Sequence, residues 1–504
     1  MALNNLSKSK LLAYRQCPKR LWLEIHRRDL IDLDAGSQSA MLQGHEVGAI
    51  ARKIYDPEER GHFLDLEKLG FRDLLSQSKA LIDGANAPLF EAGFAANGAL
   101  ALADILLPVN DGEGRTWRMV EVKSSTSVKD YHRDDAAIQA YVARATGVPL
   151  RSIAIAHIDN SWSYPGNGDY RGLLVETDLS SEAFARGTEV ESWITEAQNV
   201  AANVSEPLIS IGEQCNKPHA CGFMSYCSQS ASTVEYPVSW LPNIKSKALK
   251  ALIADSTADM RDVPDHLLNE TQLRVKHCTV DQQIYFDAQG AASDLANYPS
   301  PSYFLDFETT VFAAPIWAGT RPYQQIPFQF SLHVLSEVGD LRHQEFLDLS
   351  GDDPSRRFAE ALVDACGDQG PVFVYSAKFE KGRIKELAER FPDLSIRLLA
   401  ISNRMVDLLN IATERYYHPS QQGSWSIKKI LPAIAPGLDY GQLEGVQNGE
   451  MAMTAFKEAI SADCLPERKA EVEAQLRRYC GLDTLAMVRI WEFFRAPELA
   501  SSQF

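Results

Sequence analysis

Tyr303-Phe304-Leu305-Asp306-Phe307-Glu308-Thr309 reads as an apolar strand carrying carboxylates at i and i+2. Side chains alternate along a strand, so Asp306 and Glu308 share one face. Burying two acids on a core strand is costly unless something compensates, and a pair of divalent cations is the natural compensation. The strand is preceded by Tyr298-Pro299-Ser300-Pro301-Ser302, a turn-rich run that marks a boundary. A new α/β unit is expected to open there.

Two later segments carry further candidates. Pro371-Val372-Phe373-Val374-Tyr375 reads as a strand leading into a helix that bears Glu380, and Tyr479 and Asp483 stand one helical turn apart. In this order the pieces resemble the DEDD exonucleases of the ribonuclease H-like class. The resemblance implies that Asp306, Glu308, Glu380 and Asp483 hold two Mg²⁺ or Mn²⁺ ions. It also implies that Tyr479, in a Y-x-x-x-D pattern, orients the attacking water, and that single strands are cut from the 3′ end. The departure is Glu380, where the class usually has Asp. Residues 301 to 495 also resemble a bacterial family known only as a domain of unknown function, often fused behind a RecB-like nuclease. The features that carry this likeness are Phe379-Glu380 and Gly423-Ser424-Trp425-Ser426-Ile427-Lys428. Asp407, in Met405-Val406-Asp407-Leu408, reads as a helix N-terminal residue, with extra support of the site as the other option.

The first half carries a second acidic pattern. Ala99 to Leu106 reads as a buried strand containing Asp104. A polar turn from Asn110 to Thr116 then leads to an antiparallel strand, Trp117-Arg118-Met119-Val120-Glu121-Val122-Lys123. Glu121 and Lys123 share a face, and a hairpin brings them to Asp104. Two carboxylates supply hard ligands for Mg²⁺ or Mn²⁺, and a lysine beside them can orient water or neutralise charge. A surface hairpin with a salt bridge is the plainer alternative. Gly44-His45-Glu46 lies upstream on an expected helix, and Asp135 and Gln139 are one turn apart on a helix expected over Asp130 to Ala145. The order His, Asp, E-x-K, Gln resembles the RecB-like branch of the PD-(D/E)XK nucleases over residues 5 to 230. That resemblance implies metal binding by His45, Asp104 and Glu121, catalysis with Lys123 and support from Gln139. The family often places a Tyr four residues after the Gln; here Tyr141 comes two after it, on another helical face.

Cys215, Cys221 and Cys227 are spaced by five residues each, and Cys17 lies far upstream in Tyr14-Arg15-Gln16-Cys17-Pro18. Four thiolates suit an Fe–S cluster or zinc. One cysteine before the nuclease core and three after it is similar to RecB-like families of the AddB type, which implies a structural [4Fe–4S] cluster that staples the domain; their triplet is usually tighter. Zinc, with His219 as a spare ligand, and unliganded thiols remain the alternatives. Lys8, Lys10, Arg15, Lys19, Arg20, Arg27 and Arg28 form a basic run that reads either as a nucleic-acid groove or as a solvated helix face.

The whole chain of 504 residues has a formal charge of −17, which excludes a general nucleic-acid coat protein but suits carboxylate-held cations. The opening residues lack the pattern of a signal peptide and no apolar run is long enough to span a bilayer, so a cytoplasmic protein without membrane association is expected. With only eight cysteines, a disulfide scaffold is not expected. The organisation is read as a nuclease domain over 1–230, a connector over 231–298 and an exonuclease domain over 299–504. Within the connector, Val275 to Val280 and Gln283 to Phe286 read as a small hairpin. The expected function is metal-dependent hydrolysis of DNA or RNA, with single strands as the main partner. The rivals are a nucleic-acid-binding or scaffold protein with inactive sites and a redox regulator using the cluster.

Overall fold

The computed structural model describes residues 5–32, 35–110, 115–229, 234–254 and 258–495. The fold is mixed α/β and divides into two units. The first comprises Met1–Ala231 with Phe312–Gln324, the second Ser232–Val311 with Gln325–Phe504.

The first unit is built on a seven-stranded sheet. Its strands are β1 (Leu6–Ser7), β2 (His62–Phe63), β3 (Leu89–Ala96), β4 (Ala99–Asn110), β5 (Arg115–Lys123), β6 (Leu150–Ile158) and β7 (Leu174–Asp178), in the order β2-β3-β4-β5-β6-β7 with β1 paired to β4. The expected antiparallel pair is β4 with β5, where Ile105 faces Val120. Residues 111–114 of the turn between them lie outside the described residues. β5 and β6 run parallel, so the chain must cross over between them, and helix Asp130–Ala145 makes that crossing. It buries Ala136, Ala137, Ile138 and Ala140 against Trp117 and Met119 of β5. The segment Phe312–Gln324, which follows the acidic strand of the second unit in sequence, belongs to this first unit. Ala313 and Ala314 pack with Val47, Ile158 and Leu173. Tyr164 N donates to Thr320 O at 2.9 Å, and Gly319 N donates back to Tyr164 O at 2.8 Å.

The second unit carries β8 (Tyr285–Phe286), β9 (Ser302–Thr310), β10 (Ile326–Leu335), β11 (Leu341–Leu347), β12 (Val372–Val374), β13 (Met405–Asp407) and β14 (Tyr416–Tyr417). Its five-stranded sheet has the order β11-β10-β9-β12-β13, with β9, β10 and β11 antiparallel and β12 and β13 parallel to β9. Helix Pro466–Arg495 covers the face of β9 that carries Phe304, whose ring centroid lies 5.7 Å from that of Trp491. Strand pair β8 and β14 stands apart.

The segment read as a connector contributes to this unit's core: Val238, Leu241, Met260, Val263, Val275, Ala291 and Leu295 are buried in one cluster with Ile430, Met487 and Trp491. Its expected start falls at residues 230–233, outside the described residues. The expected hairpin is corrected. Glu270–Val280 is a helix, and of that pair only Tyr285–Phe286 is a strand, joined to β14 instead. The reason is local: Asn269 and Gln272 form a reciprocal capping box that starts the helix. No helix among the described residues is long and apolar enough to cross a membrane.

Candidate functional site

In the first unit the site grows out of β5. Trp117 and Met119 face the large core, and on the same side Glu121 and Lys123 continue the alternation to where helix Asp130–Ala145 presents Asp135 and Gln139. All four polar groups meet. Lys123 Nζ donates to Glu121 Oε1 at 2.7 Å and to Asp135 Oδ2 at 2.5 Å. Gln139 Nε2 donates to Glu121 Oε2 at 2.6 Å and to Asp135 Oδ1 at 3.0 Å. Glu121, Asp135 and Gln139 are buried. Burial works against the Asp135 charge, yet Lys123 and Lys8 hold its carboxyl below the usual range. The same carboxylates hold Lys123 well above an ordinary lysine despite burial.

Asp104 sits where β4 loses its regular alternation. Ala101 and Ala103 face the large core, but beyond Asp104 it is Leu106 that does, while Ile105 joins a different cluster. Opposite stands Glu91, held at φ 59°, a left-handed backbone that costs a residue with a side chain of this kind about 1–3 kcal/mol. Asp104 Oδ2 accepts from Val122 N at 2.7 Å, beyond the part of β5 that pairs with β4. Burial, and then the Glu121 charge, push the Asp104 carboxyl well above its usual range against the pull of Lys8 and Lys123. Asp104, Glu121, Glu91 and His45 line one cleft of about 550 Å³, with His45 on the exposed side of helix Ala35–Tyr55. Tyr141 is not part of it; its hydroxyl accepts from Asn97 Nδ2 at 2.8 Å.

The four cysteines are brought together around one small cavity lined by Cys17, Cys215, Cys221 and Cys227 with Leu23 and Phe223. Cys17 ends helix Lys8–Gln16, and Cys221 N donates to Cys215 O at 2.8 Å. Gln16 Nε2 ties the segments together by donating to Gln214 O at 2.7 Å and His219 O at 2.8 Å. All eight cysteines are free thiols. Among the described residues, no three of these sulfurs lie within 4.8 Å of one another. Tetrahedral zinc, with Zn–S of about 2.3 Å, needs sulfurs about 3.8 Å apart. His219 packs edge-on against Tyr131, with ring centroids 4.8 Å apart. The basic run is largely engaged in ion pairs: Arg15 with Asp134, Lys19 with Glu206, Arg20 with Glu24 and Arg27 with Asp29.

In the second unit the acids gather on β9. Asp306, Glu308 and the Cys480 thiol each offer an atom within 4.8 Å of the others. Asp483 joins from helix Pro466–Arg495, where Tyr479 lies one turn before it. Glu380 enters from the first turn of helix Lys378–Arg390; it is 2% exposed, and its Oε2 has no hydrogen-bond partner. Burial raises all four carboxyls, and neighbouring acids of the group add to it at Asp306 and Glu308. Burial, then Asp483, Glu308 and Glu380, raise the Asp306 carboxyl well above it. Burial and Asp483 push Glu308 up to about 8, and burial pushes Glu380 up to about 8. Asp483 is raised by burial to about 6, with Tyr440 and Lys428 pulling it back. Such a set favours any cation that can replace the protons. A buried, unpaired carboxylate oxygen is what a missing ligand partner would leave.

Tyr440, which no motif contains, and Lys428, the last residue of the Gly423–Lys428 feature, also take places at this site. Tyr440 Oη donates to Asp483 Oδ1 at 2.6 Å. Lys428 Nζ stands 5.2 Å from the ring centre of Tyr440 and 5.3 Å from that of Tyr479. Asp407 is otherwise employed. Its oxygens accept from the backbone N–H groups of Ser376, Ala377 and Leu409, at 2.9, 2.9 and 3.0 Å. It thus caps helix Leu408–Arg415 and pins the turn that leads into the Glu380 helix.

No curated protein matches the chain. Residues 303–426, which include Asp306, Glu308 and Glu380, match a family described as Domain of unknown function (DUF2779).

Proposed function

We propose that the chain is a metal-dependent nuclease with two separate active sites, a PD-(D/E)XK-type site in the first unit and a ribonuclease H-like DEDD-type site in the second. The observation that carries the reading is the convergence of Asp306, Glu308, Glu380 and Asp483. Burial raises the carboxyls of this group, repulsion from its other acids adds to this at Asp306 and Glu308, and one buried oxygen of Glu380 is left without a partner. The ribonuclease H-like part draws support from the strand order, because β9, with both acids, sits at the centre of its sheet beneath a helix that adds Asp483. The PD-(D/E)XK part draws support from the β4–β5 pair and the crossover helix that bring Asp104, Glu121, Lys123 and Gln139 together.

Asp306, Glu308, Glu380 and Asp483 would hold divalent cations in the second site, and His45, Asp104 and Glu121 would do so in the first. When bound, Mg²⁺ or Mn²⁺ would neutralise charge on the phosphate and make water a better nucleophile. In hydrolysis a water oxygen forms a bond to phosphorus, the bond from phosphorus to the leaving oxygen breaks, and that oxygen takes up a proton. Lys123 in the first site and the Tyr479 hydroxyl in the second orient the attacking water. Gln139 keeps Glu121 aimed. Tyr440 does the same for Asp483. Cys17, Cys215, Cys221 and Cys227 would hold a structural [4Fe–4S] cluster, which joins segments far apart in sequence and so constrains the unfolded chain.

The test is cleavage of end-labelled single-stranded DNA and RNA with Mg²⁺ or Mn²⁺, using Lys123→Ala, Asp306→Ala and the double variant. Each single change should abolish one activity, the Asp306-dependent one being release of nucleotides from the 3′ end. The double variant should be inert. Cation-dependent cleavage surviving in the folded double variant would sink the assignment of both sites.

A further inference from the structure

The first site holds a second ammonium that its sequence motif lacks. β1 pairs in parallel with β4, setting Leu6 and Ser7 beside Ala99 and Leu100. Ser7 then caps helix Lys8–Gln16 by accepting from Lys10 N at 3.4 Å. This fixes Lys8 at the helix start, with its Nζ 2.7 Å from Glu121 Oε1 and 3.2 Å from Asp135 Oδ1. Lys123 Nζ bonds the same two carboxylates, at 2.7 and 2.5 Å. The four groups close a ring of alternating charge. Its acids are at most 3% exposed at the side chain, and each lysine is 20% exposed.

The ring lies between two open spaces. Glu121 opens on the cleft that holds His45, Glu91 and Asp104. Lys123 and Asp135 open on a separate groove of about 910 Å³, one wall of which is the helix that begins at Lys8, through Ser9, Leu12 and Arg15. Lys8 is thus bonded to one acid that lines the cleft, Glu121, and to one that lines the groove, Asp135. Of its two bonds the one to Asp135 is the longer, and both carboxylates are also engaged by Lys123 and Gln139, so Glu121 and Asp135 keep a partner when Lys8 turns away.

We propose that Lys8 is a phosphate-binding residue of the first site, a second ammonium beside Lys123 that takes a non-bridging oxygen of a nucleic-acid phosphodiester entering from the groove. The proposal rests on the nuclease reading of the first unit. An ammonium is suited to the task as a point charge with three donors, which can exchange a carboxylate for a phosphate without a fixed fork geometry.

The experiment uses the full chain with Asp306→Ala, so that only the first site can cut, and compares it with the same chain carrying Lys8→Gln or Lys8→Arg. Binding of labelled single-stranded DNA and RNA of one sequence is measured by anisotropy in EDTA over a range of salt. Lys8→Gln should weaken binding of both strands about tenfold, and the salt slope should shrink by about 0.7, the share of one phosphate contact on a single strand. Mn²⁺-dependent kcat/KM should fall about a hundredfold and recover largely in Lys8→Arg. An unchanged slope together with unchanged kcat/KM in folded Lys8→Gln overturns the proposal. A measurement on the chain without a Lys8 change stands beside it. Amine acetylation followed by mass spectrometry should show Lys8 protected by a bound strand, and equal labelling with and without the strand also overturns it. If the Asp306→Ala parent shows no cleavage that Lys123→Ala abolishes, the nuclease reading of the first unit falls; a Lys8-dependent salt slope in that case upholds the phosphate contact by itself.

Discussion

On β5 the core residues Trp117 and Met119 give way, on one face, to Glu121 and Lys123; on β9 Phe304 gives way in the same manner to Asp306 and Glu308. In each unit a helix covers that face and adds a buried acid, Asp135 in the first and Asp483 in the second. From there the two sites diverge. Lys8, Lys123 and Gln139 satisfy Glu121 and Asp135, and Asp135 is held below the usual carboxylate range. In the second unit, Glu308 and Glu380 are pushed up to about 8, and Lys428 is the lysine that pulls on Glu308 and Asp483. In the first site the pair Glu121 and Asp135 is therefore matched by two lysines, while Asp104 beside it is raised by burial and by Glu121; in the second, among the described residues, no such lysine pair faces Asp306, Glu308 and Glu380. Placing acids at the end of an apolar strand face is thus compatible with two different electrostatic settings, and part of the difference comes from Lys8 and Tyr440, which lie outside the motifs.

The largest effect that separates the two should come from Cys221→Ser. If the four cysteines hold the proposed cluster, the melting transition of the first unit should fall by about 10 °C, the iron-linked colour of anaerobically purified protein should vanish, and Lys123-dependent cleavage should fall with it. Asp306-dependent cleavage should persist. Zinc without iron after anaerobic, iron-replete expression would replace the cluster by a metal staple.

Protons provide the next contrast. Glu308 and Glu380 are raised from 4.5 to about 8, and Asp483 from 3.8 to about 6. A carboxyl raised on folding contributes stability that is complete below its unfolded value and is lost as pH climbs through its folded value. In EDTA the second unit should lose about 5 °C of Tm between pH 5 and pH 9, and Mn²⁺ should restore most of it at pH 9 and little at pH 5. Asp135 runs the other way: its carboxyl is depressed, so its contribution is present above the ordinary carboxylate range and is lost only in acid. A Tm in EDTA that does not change over that alkaline span would break the contrast.

Single substitutions sharpen it. At pH 9 without metal, Glu380→Gln should raise the Tm of the second unit by about 2–3 °C, because it removes a buried charge that nothing pairs. Asp135→Asn should cost the first unit about 3 kcal/mol at neutral pH, because two lysines are left to share Glu121. The same sign in both, read by calorimetry of the intact chain, would remove the distinction between the sites.

Sequence made the scaffolds of both sites readable because period-two apolar patterns are strong on β4, β5 and β9, and because helix Asp130–Ala145 has polar residues at one-turn spacing. It was silent where position depends on long-range closure. Lys8 meets Glu121 only because a two-residue strand docks on β4, and Tyr440 meets Asp483 from a short 3₁₀ turn with no periodic pattern. Phe312–Gln324 gave no sign of belonging to the first unit, since its ties are scattered: backbone bonds to Tyr164, small buried alanines, and the hydroxyl bonds of Tyr323 to Ser124 and of Tyr170 to Pro315. The misread hairpin at Val275–Val280 shows the opposite failure: β-branched residues suggested strand, and a capping box at Asn269 and Gln272 decided for helix.

The smallest effect concerns the two tyrosines of the second site. Tyr440 Oη donates to Asp483 Oδ1 at 2.6 Å, and the ring centres of Tyr440 and Tyr479 lie 6.4 Å apart with Lys428 facing both. A hydrogen bond to a charged group contributes about 1.5–3 kcal/mol. Tyr440→Phe removes that bond but leaves the ring under Lys428, so Asp483 keeps its place and loses its aim. The expected result is a three- to tenfold weaker apparent Mn²⁺ affinity, about 1 kcal/mol, with kcat at saturating Mn²⁺ nearly unchanged. Tyr479→Phe should instead lower kcat about tenfold or more, with an Mn²⁺ affinity loss no larger than that of Tyr440→Phe, because its hydroxyl touches Asp483 and in the proposed mechanism also orients water. Measuring both constants in both variants, with Lys123→Ala silencing the first site, separates the roles. If Tyr440→Phe instead lowers kcat at unchanged Mn²⁺ affinity, the water belongs to Tyr440, and the tyrosine of the Y-x-x-x-D pattern serves as its ring support.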